Sequence, residues 1–226
     1  MDGERQKMRD ALLAIPEDYW PEHVARHAGR LSQAQRGAAG AAVRRMAAIL
    51  EDCAPLERAA LLYRMFARNI RYDYETCRSP ERNARHIAFN YYGAIRGKAV
   101  CAGIAELYAL ALVAAGVDAV IVLGFAQGGG GAGLHAWNKL RLGGGWYNAD
   151  VTWDLASCGR PGQPEFFLRS DAWMEAHRHY TLVERYPAAP AEPDSQSRRR
   201  AAEIFQRRGV DEILWQVWQN SRRGMP

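Results

Sequence analysis

The chain is short of lysine, of paired cysteines and of long apolar runs, and each shortage removes a class of function. Of its 30 basic residues only three are lysines, Lys7, Lys98 and Lys139, and the other 27 are arginines scattered along a chain also rich in alanine. A net charge of +5 distributed in this way reads as composition bias rather than as a basic face. No RNA or DNA motif accompanies it, so nucleic-acid binding is not expected. The densest run, Arg198-Arg199-Arg200, has the usual meaning of a solvated helix start. The four cysteines, at 53, 77, 101 and 158, include no C-x-x-C pair, which argues for four free thiols rather than a zinc cage or a disulfide framework. No stretch approaches the roughly 20 apolar residues that cross a bilayer, and Met1-Asp2-Gly3-Glu4-Arg5 lacks the basic-then-apolar order of a secretory signal. No membrane association and a cytoplasmic location are the expectations. There is no G-x-x-x-x-G-K-[ST] phosphate loop and no cluster of aspartates of the calcium-loop kind.

What is present is an ordinary globular composition, 48% hydrophobic and 24% charged over 226 residues, enough for one well-buried domain with extensions. Residues 1–54 read as a helical extension, broken by the two prolines of Ile15-Pro-Glu-Asp-Tyr-Trp-Pro21 and resumed by Ala41, Ala42, Met46, Ile49 and Leu50. Pro55 suits the first turn of a helix whose apolar stripe is Leu56, Ala59, Leu62, Tyr63 and Phe66, and residues 55–186 read as the core domain. Residues 119–125 form a continuous apolar run, as expected of a buried strand. The glycines from Gln127 to Gly133 predict either a mobile loop at the rim of a substrate groove or a flexible connection. Pro187 to Pro193 is a proline-rich hinge, and the remainder of 187–226 carries an amphipathic helix with Val210, Ile213, Leu214, Val217 and Trp218 on one face. Docking of that face on its own core is one reading; self-association through it is the sharper alternative.

Three residues carry the chemistry. Cys101 opens a stretch in which Ile104, Leu107, Tyr108, Ala111, Leu112 and Ala115 keep a helical rhythm that Gly116 ends, so its thiol lies at a helix N-terminus. Unpaired N–H groups and the positive end of the macrodipole favour the thiolate there. His135 to Leu142 and Gly145 to Trp153 read as two strands around Gly143-Gly144, a dipeptide suited to a type I′ turn. If Leu142 pairs with Gly145, Trp137 falls opposite Asp150, and His135 and Asp150 become diagonal neighbours on one face. A three-residue loop would send Asp150 to the other face.

Val100-Cys101-Ala-Gly, His135-Ala-Trp-Asn138 and Trp146-Tyr-Asn-Ala-Asp150-Val-Thr-Trp-Asp154 resemble the Cys, His and Asp blocks of the bacterial transglutaminase-like superfamily. The resemblance extends upstream to Ile70-Arg-Tyr-Asp-Tyr74 and downstream to Phe166-Phe-Leu-Arg-Ser-Asp171, with Met174 and His177 beyond. It implies an α+β, papain-like core in which a helix carrying the cysteine packs on an antiparallel sheet carrying histidine and aspartate.

Those residues imply cysteine-dependent acyl transfer on protein or peptide amides, with Cys101 as nucleophile, His135 as base and Asp150 as its orienter. The outcome would be hydrolysis or transamidation; a binding or scaffold module that performs no chemistry is the competing class, and the intact Cys, His and Asp argue against it. No cofactor and no metal site is expected, since the three mixed ligands have no second cysteine or histidine near them in sequence. Tyr92 is the weak candidate for an oxyanion donor beside the main-chain N–H of Cys101. Trp137 and Trp153 are candidate groove walls. Asn138 and Thr152 could make supporting hydrogen bonds, while His177 and His179 are read as surface or capping residues.

Overall fold

In the computed structural model of the protein the residues described are 2–14, 31–78, 86–128, 131–155, 164–207 and 209–226. The loop read at Ile15 to Pro21 and the thiol of Cys158 lie outside them. Helix α1 (Asp2–Leu13) is followed by α2 (Gln33–Ile49), whose start is fixed by a capping box: Ser32 accepts from the Gln35 N–H and the Gln35 side chain accepts from the Ser32 N–H. Helix α3 (Pro55–Asn69) begins with Pro55, where a missing N–H costs nothing. Its nine residues from Ala59 to Ala67 are all buried, so it is wrapped by neighbours rather than packed along one stripe.

Next come β1 (Arg71–Tyr72), α4 (Tyr74–Arg78), α5 (Tyr91–Ile95) and β2 (Lys98–Ala99), with β1 and β2 forming a two-stranded parallel pair. Helix α6 (Cys101–Ala114) follows at once, and Gly116, at φ 74°, takes the left-handed conformation that closes it. All six positions of its expected apolar face are buried. The helix lies between α2 and α3 on one side and the sheet on the other.

The sheet contains β3 (Ala119–Gly128), β4 (Gly131–Leu142), β5 (Gly145–Ala149), β6 (Phe167–Arg169) and β7 (His179–Thr181), in the order β6-β5-β4-β3-β7, with every neighbouring pair antiparallel. Leu142 pairs with Gly145 across Gly143 and Gly144, which both adopt positive φ (57° and 85°), as the two-residue reading requires. Two expectations change. The described part of the glycine segment, on either side of 129–130, is strand rather than loop: Gln127 pairs with Ala132 and Gly128 with Gly131, because main-chain pairing needs no side chain. The Asp strand stops at Ala149 instead of reaching Trp153, because Asp150 Oδ1 accepts the Thr152 and Trp153 N–H groups at 2.9 and 3.2 Å and turns the chain.

Helix α7 (Asp171–Ala176) lies between β6 and β7, and α8 (Ser195–Gln206) and α9 (Val210–Arg223) close the chain. Leu214 and Trp218 of α9 are fully buried in the same apolar core as Met46, Phe66 and Leu107, with Trp218 Nε1 donating to the Ile95 carbonyl at 2.8 Å. No helix among the described residues is long and apolar enough to cross a membrane.

Candidate active site

The two faces of the sheet differ in character. On one, Asn138 and Leu140 meet α6: the Asn138 amide donates to the Ala105 carbonyl at 2.9 Å and fastens the His strand to the Cys helix. On the other, His135 and Trp137 enter an aromatic cluster with Phe166, Met174 and Trp153.

Register delivers His135 to Asp150 as the alternation predicts. Nε2 of His135 lies 2.6 Å from Oδ2 of Asp150, both side chains buried. That contact leaves Nδ1 for the thiol, and the His135 side chain is hydrogen-bonded to Cys101. Cys101 is the first residue of α6 and partly exposed. Burial opposes its ionisation, but the charge of His135, the hydrogen bond to that ring and the main-chain N–H of Ala136 outweigh it and hold the thiol below its ordinary value. His135 shows the reciprocal effect: burial lowers its proton affinity, and the negative charges of Asp150 and Cys101 more than reverse this, pushing it up to about 10. Asp150, despite its burial, is held well below the usual carboxylate range by His135 and by its hydrogen bonds to the two histidines. The electrostatics therefore shift both partners toward their charged forms, the thiol toward thiolate and the ring toward imidazolium.

The histidine read as a surface or capping residue is neither. His179 is fully buried, and its Nε2 lies 3.1 Å from the same Asp150 Oδ2. It arrives because β7 pairs with β3, Ala126 opposite His179, two positions along from the Gly124 that faces His135. Only that long-range pairing signals it.

Tyr92 does not join the site, which corrects its reading as an oxyanion candidate: it is buried, and its hydroxyl donates to the Pro226 carbonyl. The tyrosine hydroxyl near the thiol belongs to Tyr72, which donates to the Cys77 sulfur at 3.4 Å and interacts electrostatically with Cys101. Pairing of Tyr72 with Ala99, two residues before Cys101, places it there. Burial and the neighbouring thiols push its phenol well above the usual range, so it stays a donor.

Trp137 stacks on His135 with centroids 5.9 Å apart and planes at 24°, held by its Nε1 donating to Asn148 Oδ1 at 2.9 Å. Trp153 presents an edge to His135 at 6.3 Å and to His179 at 4.7 Å. Both tryptophans thus cover the imidazoles. Thr152 contributes its main-chain N–H to Asp150.

Ligating atoms of His135, Asp150 and His179 lie within 4.8 Å of one another, near enough to consider a cation. Two ligands at about 2.1 Å from one tetrahedral ion stand about 3.4 Å apart. The 2.6 Å between His135 and Asp150 is instead a charge-assisted hydrogen bond. As placed, these residues are arranged for proton chemistry.

Residues 44–151 match the model of the "Transglutaminase-like superfamily". A protein from Mus musculus named "Kyphoscoliosis peptidase" is 28% identical over 141 residues, 58% of this chain and 21% of that protein, so the chain spans about a fifth of that relative's length. A solved structure titled "Crystal structure of a TGase" is 16% identical, covers 86% of this chain and 52% of its own, and superposes with a TM-score of 0.45. The family match runs from within α2 through the helix of Cys101 and the whole β4–β5 hairpin to one residue past Asp150. Sequence match and α+β architecture agree over this stretch: residues 44–151 match the transglutaminase-like superfamily, whose fold is used by cysteine-dependent acyltransferases and peptidases.

Proposed function

We propose that the protein is a cysteine-dependent acyl-transfer enzyme acting on amides of proteins or peptides. The observation that carries this reading is the continuous hydrogen-bonded line from the Cys101 thiol at a helix start through His135 to Asp150. The Cys101 thiolate attacks the amide carbonyl, forming a C–S bond as the carbonyl π electrons move to oxygen. Collapse of this intermediate breaks the C–N bond, and the His135 imidazolium gives its proton to the departing amine, leaving a thioester and a neutral imidazole. Water or an amine then gives a proton to His135 as it attacks the thioester, and Cys101 leaves as thiolate. Asp150 keeps the ring oriented and stabilises its charged form. For the oxyanion, the first-turn N–H of Cys101 has no partner within its helix, and the Tyr72 hydroxyl supplies the second donor in place of Tyr92.

The test is intact-mass analysis of the protein mixed with peptide amides, with and without a small primary amine, in wild type and Cys101→Ala. A thioester adduct on Cys101 that decays to acid or to a new amide supports the reading and separates hydrolysis from transamidation. Absence of any adduct across a broad peptide set, together with a Cys101 that alkylates like an ordinary thiol, would overturn it in favour of a binding module.

A further inference from the structure

Both ring nitrogens of His179 face acceptors. Nε2 lies 3.1 Å from Asp150 Oδ2 and Nδ1 lies 3.0 Å from the main-chain carbonyl oxygen of His177. A carbonyl has no proton to give, and neither has an ionised carboxylate. A neutral imidazole, with one N–H and one bare nitrogen, would leave one of these contacts as lone pair against lone pair. A ring carrying both protons satisfies both. The surroundings remove the usual alternative of water: His179 is 2% exposed, and Trp137, Trp153, Phe166 and His135 surround its ring at centroid distances of 4.7 to 5.6 Å.

The ionisable groups in contact with the ring are Asp150, from the turn after β5, and His135, from β4. From β3 the pairing residue is Ala126; from α7 the approach is made by the His177 carbonyl, while the His177 ring stacks on Trp173 at 3.5 Å. Cys101 lies one hydrogen bond further, behind His135. The charges can then be counted. An ionised Cys101, a protonated His135 and an ionised Asp150 sum to −1, with His135 and Asp150 both buried. A second imidazolium on Asp150 brings the sum to zero.

We propose that His179 is a positioning residue for the acyl-transfer site, a second imidazolium that locks the Asp150 carboxylate in place and cancels the negative charge which that carboxylate would otherwise project onto the thiolate. The site is then an electrically neutral quartet rather than a triad. This rests on the acyl-transfer reading for its purpose, but its physical content, two protons on His179 and a charge coupling to Cys101, does not need turnover to be measured. The direction of the coupling is visible at the thiol, where the charge of Asp150 works against ionisation.

Two measurements test it. The first is the pH dependence of Cys101 alkylation by iodoacetamide between pH 4 and 9, read by peptide mapping, in wild type and His179→Gln. Glutamine keeps a donor for Asp150 but no charge, so a purely steric or orienting role leaves the profile unmoved. The expected result is an inflection raised by about one pH unit, an approximately tenfold slower reaction on the acid side, with near-UV circular dichroism unchanged. An unmoved inflection in folded His179→Gln overturns the proposal. The second uses wild-type protein alone: nitrogen-15 spectra of histidine side chains at pH 7 should show two protonated ring nitrogens for His179, and one bare nitrogen overturns the proposal even if the variant fails to fold. A wild-type Cys101 that titrates as an ordinary thiol would instead count against the acyl-transfer reading while leaving the two-proton state of His179 to be read directly.

Discussion

The site is assembled from two halves built on different principles. The sheet half, His135 and Asp150, lies on one hairpin whose members are 15 residues apart, and a two-glycine turn sets its geometry. The helix half, Cys101 with Tyr72, depends on close approach of separate backbones. A Cβ on Gly103 would lie 2.6 Å from the Asn90 carbonyl oxygen and 2.7 Å from that of Ala88, and Ala88 in turn accepts the Val100 N–H at 3.0 Å just before the thiol. Local pairing can therefore fix an imidazole and a carboxylate with little help, whereas the Cys101 thiol is aimed by packing against segments that sequence proximity does not reveal. The halves also differ in charge behaviour. Asp150 contributes most above the ordinary carboxylate range and loses its contribution as pH falls toward its lowered value. Glu106, on α6, is the reverse: buried, with Oε1 unpartnered and Oε2 accepting the Tyr91 N–H, it is pushed up to about 8.

The largest effect expected is on the line joining the halves. His135→Ala should lower amide turnover, or Cys101 alkylation near pH 6, by about 10³-fold. Steady-state and alkylation rates check it, and a loss under fivefold would mean the thiol is activated by the helix alone. Turnover in wild type should also fall as pH rises through about 10, where His135 loses the proton that the leaving amine requires. Breaking only the helix half, Gly103→Ala should cost about 3 kcal/mol in denaturant unfolding because backbone oxygens cannot yield as side chains do. Gly133→Ala, where nothing lies within 4 Å, should change stability by less than about 0.5 kcal/mol. Comparable costs at the two glycines would erase the distinction between the halves.

Breaking only the sheet half calls for one residue inserted between Gly143 and Gly144. The register slips by one, Asp150 turns to the other face, and alkylation of Cys101 at pH 6 should slow by about 10²-fold in a folded protein. An unchanged rate would show that Asp150 does not govern the pair. Glu106→Gln sharpens the charge contrast. The folded carboxyl binds its proton more tightly than the unfolded one, so its contribution is intact below the ordinary carboxylate range and is lost as pH rises through about 8. The variant should gain on wild type by on the order of 4 kcal/mol between pH 5 and 9, read from denaturation midpoints at each pH, and parallel curves would refute the assignment. The smallest effect is Tyr72→Phe, an approximately tenfold slower turnover of peptide amides from loss of one hydrogen-bond donor at the oxyanion.

What the sequence disclosed follows the same division. Cys101 was legible because a 3.6-residue rhythm ending at a glycine announces a helix start, and His135 with Asp150 because alternation and a Gly-Gly turn define a register. His179 was hidden by a contact spanning 29 residues of chain, between which Asp150 turns, β6 pairs and α7 intervenes. Tyr72 was hidden because it sits on a two-residue strand that no periodicity can mark. Strand pairing in the glycine segment escaped for a related reason: glycines carry no side-chain pattern, yet their main chains complete the ladder as well as any. Asp150 misled at the end of its own strand, since its side chain competes with the ladder for the next two N–H groups.

Lys139 extends the sheet half in another direction. Its ammonium is wholly buried and bound to Asp171 Oδ1 at 2.8 Å and to the Pro187 carbonyl at 2.6 Å. The same Asp171 oxygen accepts from Asn148, which holds the Trp137 ring that stacks on His135, while Asp171 Oδ2 accepts the Ala189 N–H. The strap that leads to the last two helices is thus buckled to the interior by an ion that has nowhere else to discharge. Peeling that strap away, by a protease or by mechanical tension along the chain, strands the ammonium and unseats the tryptophan together, so the tail and the imidazole platform open as one cooperative unit.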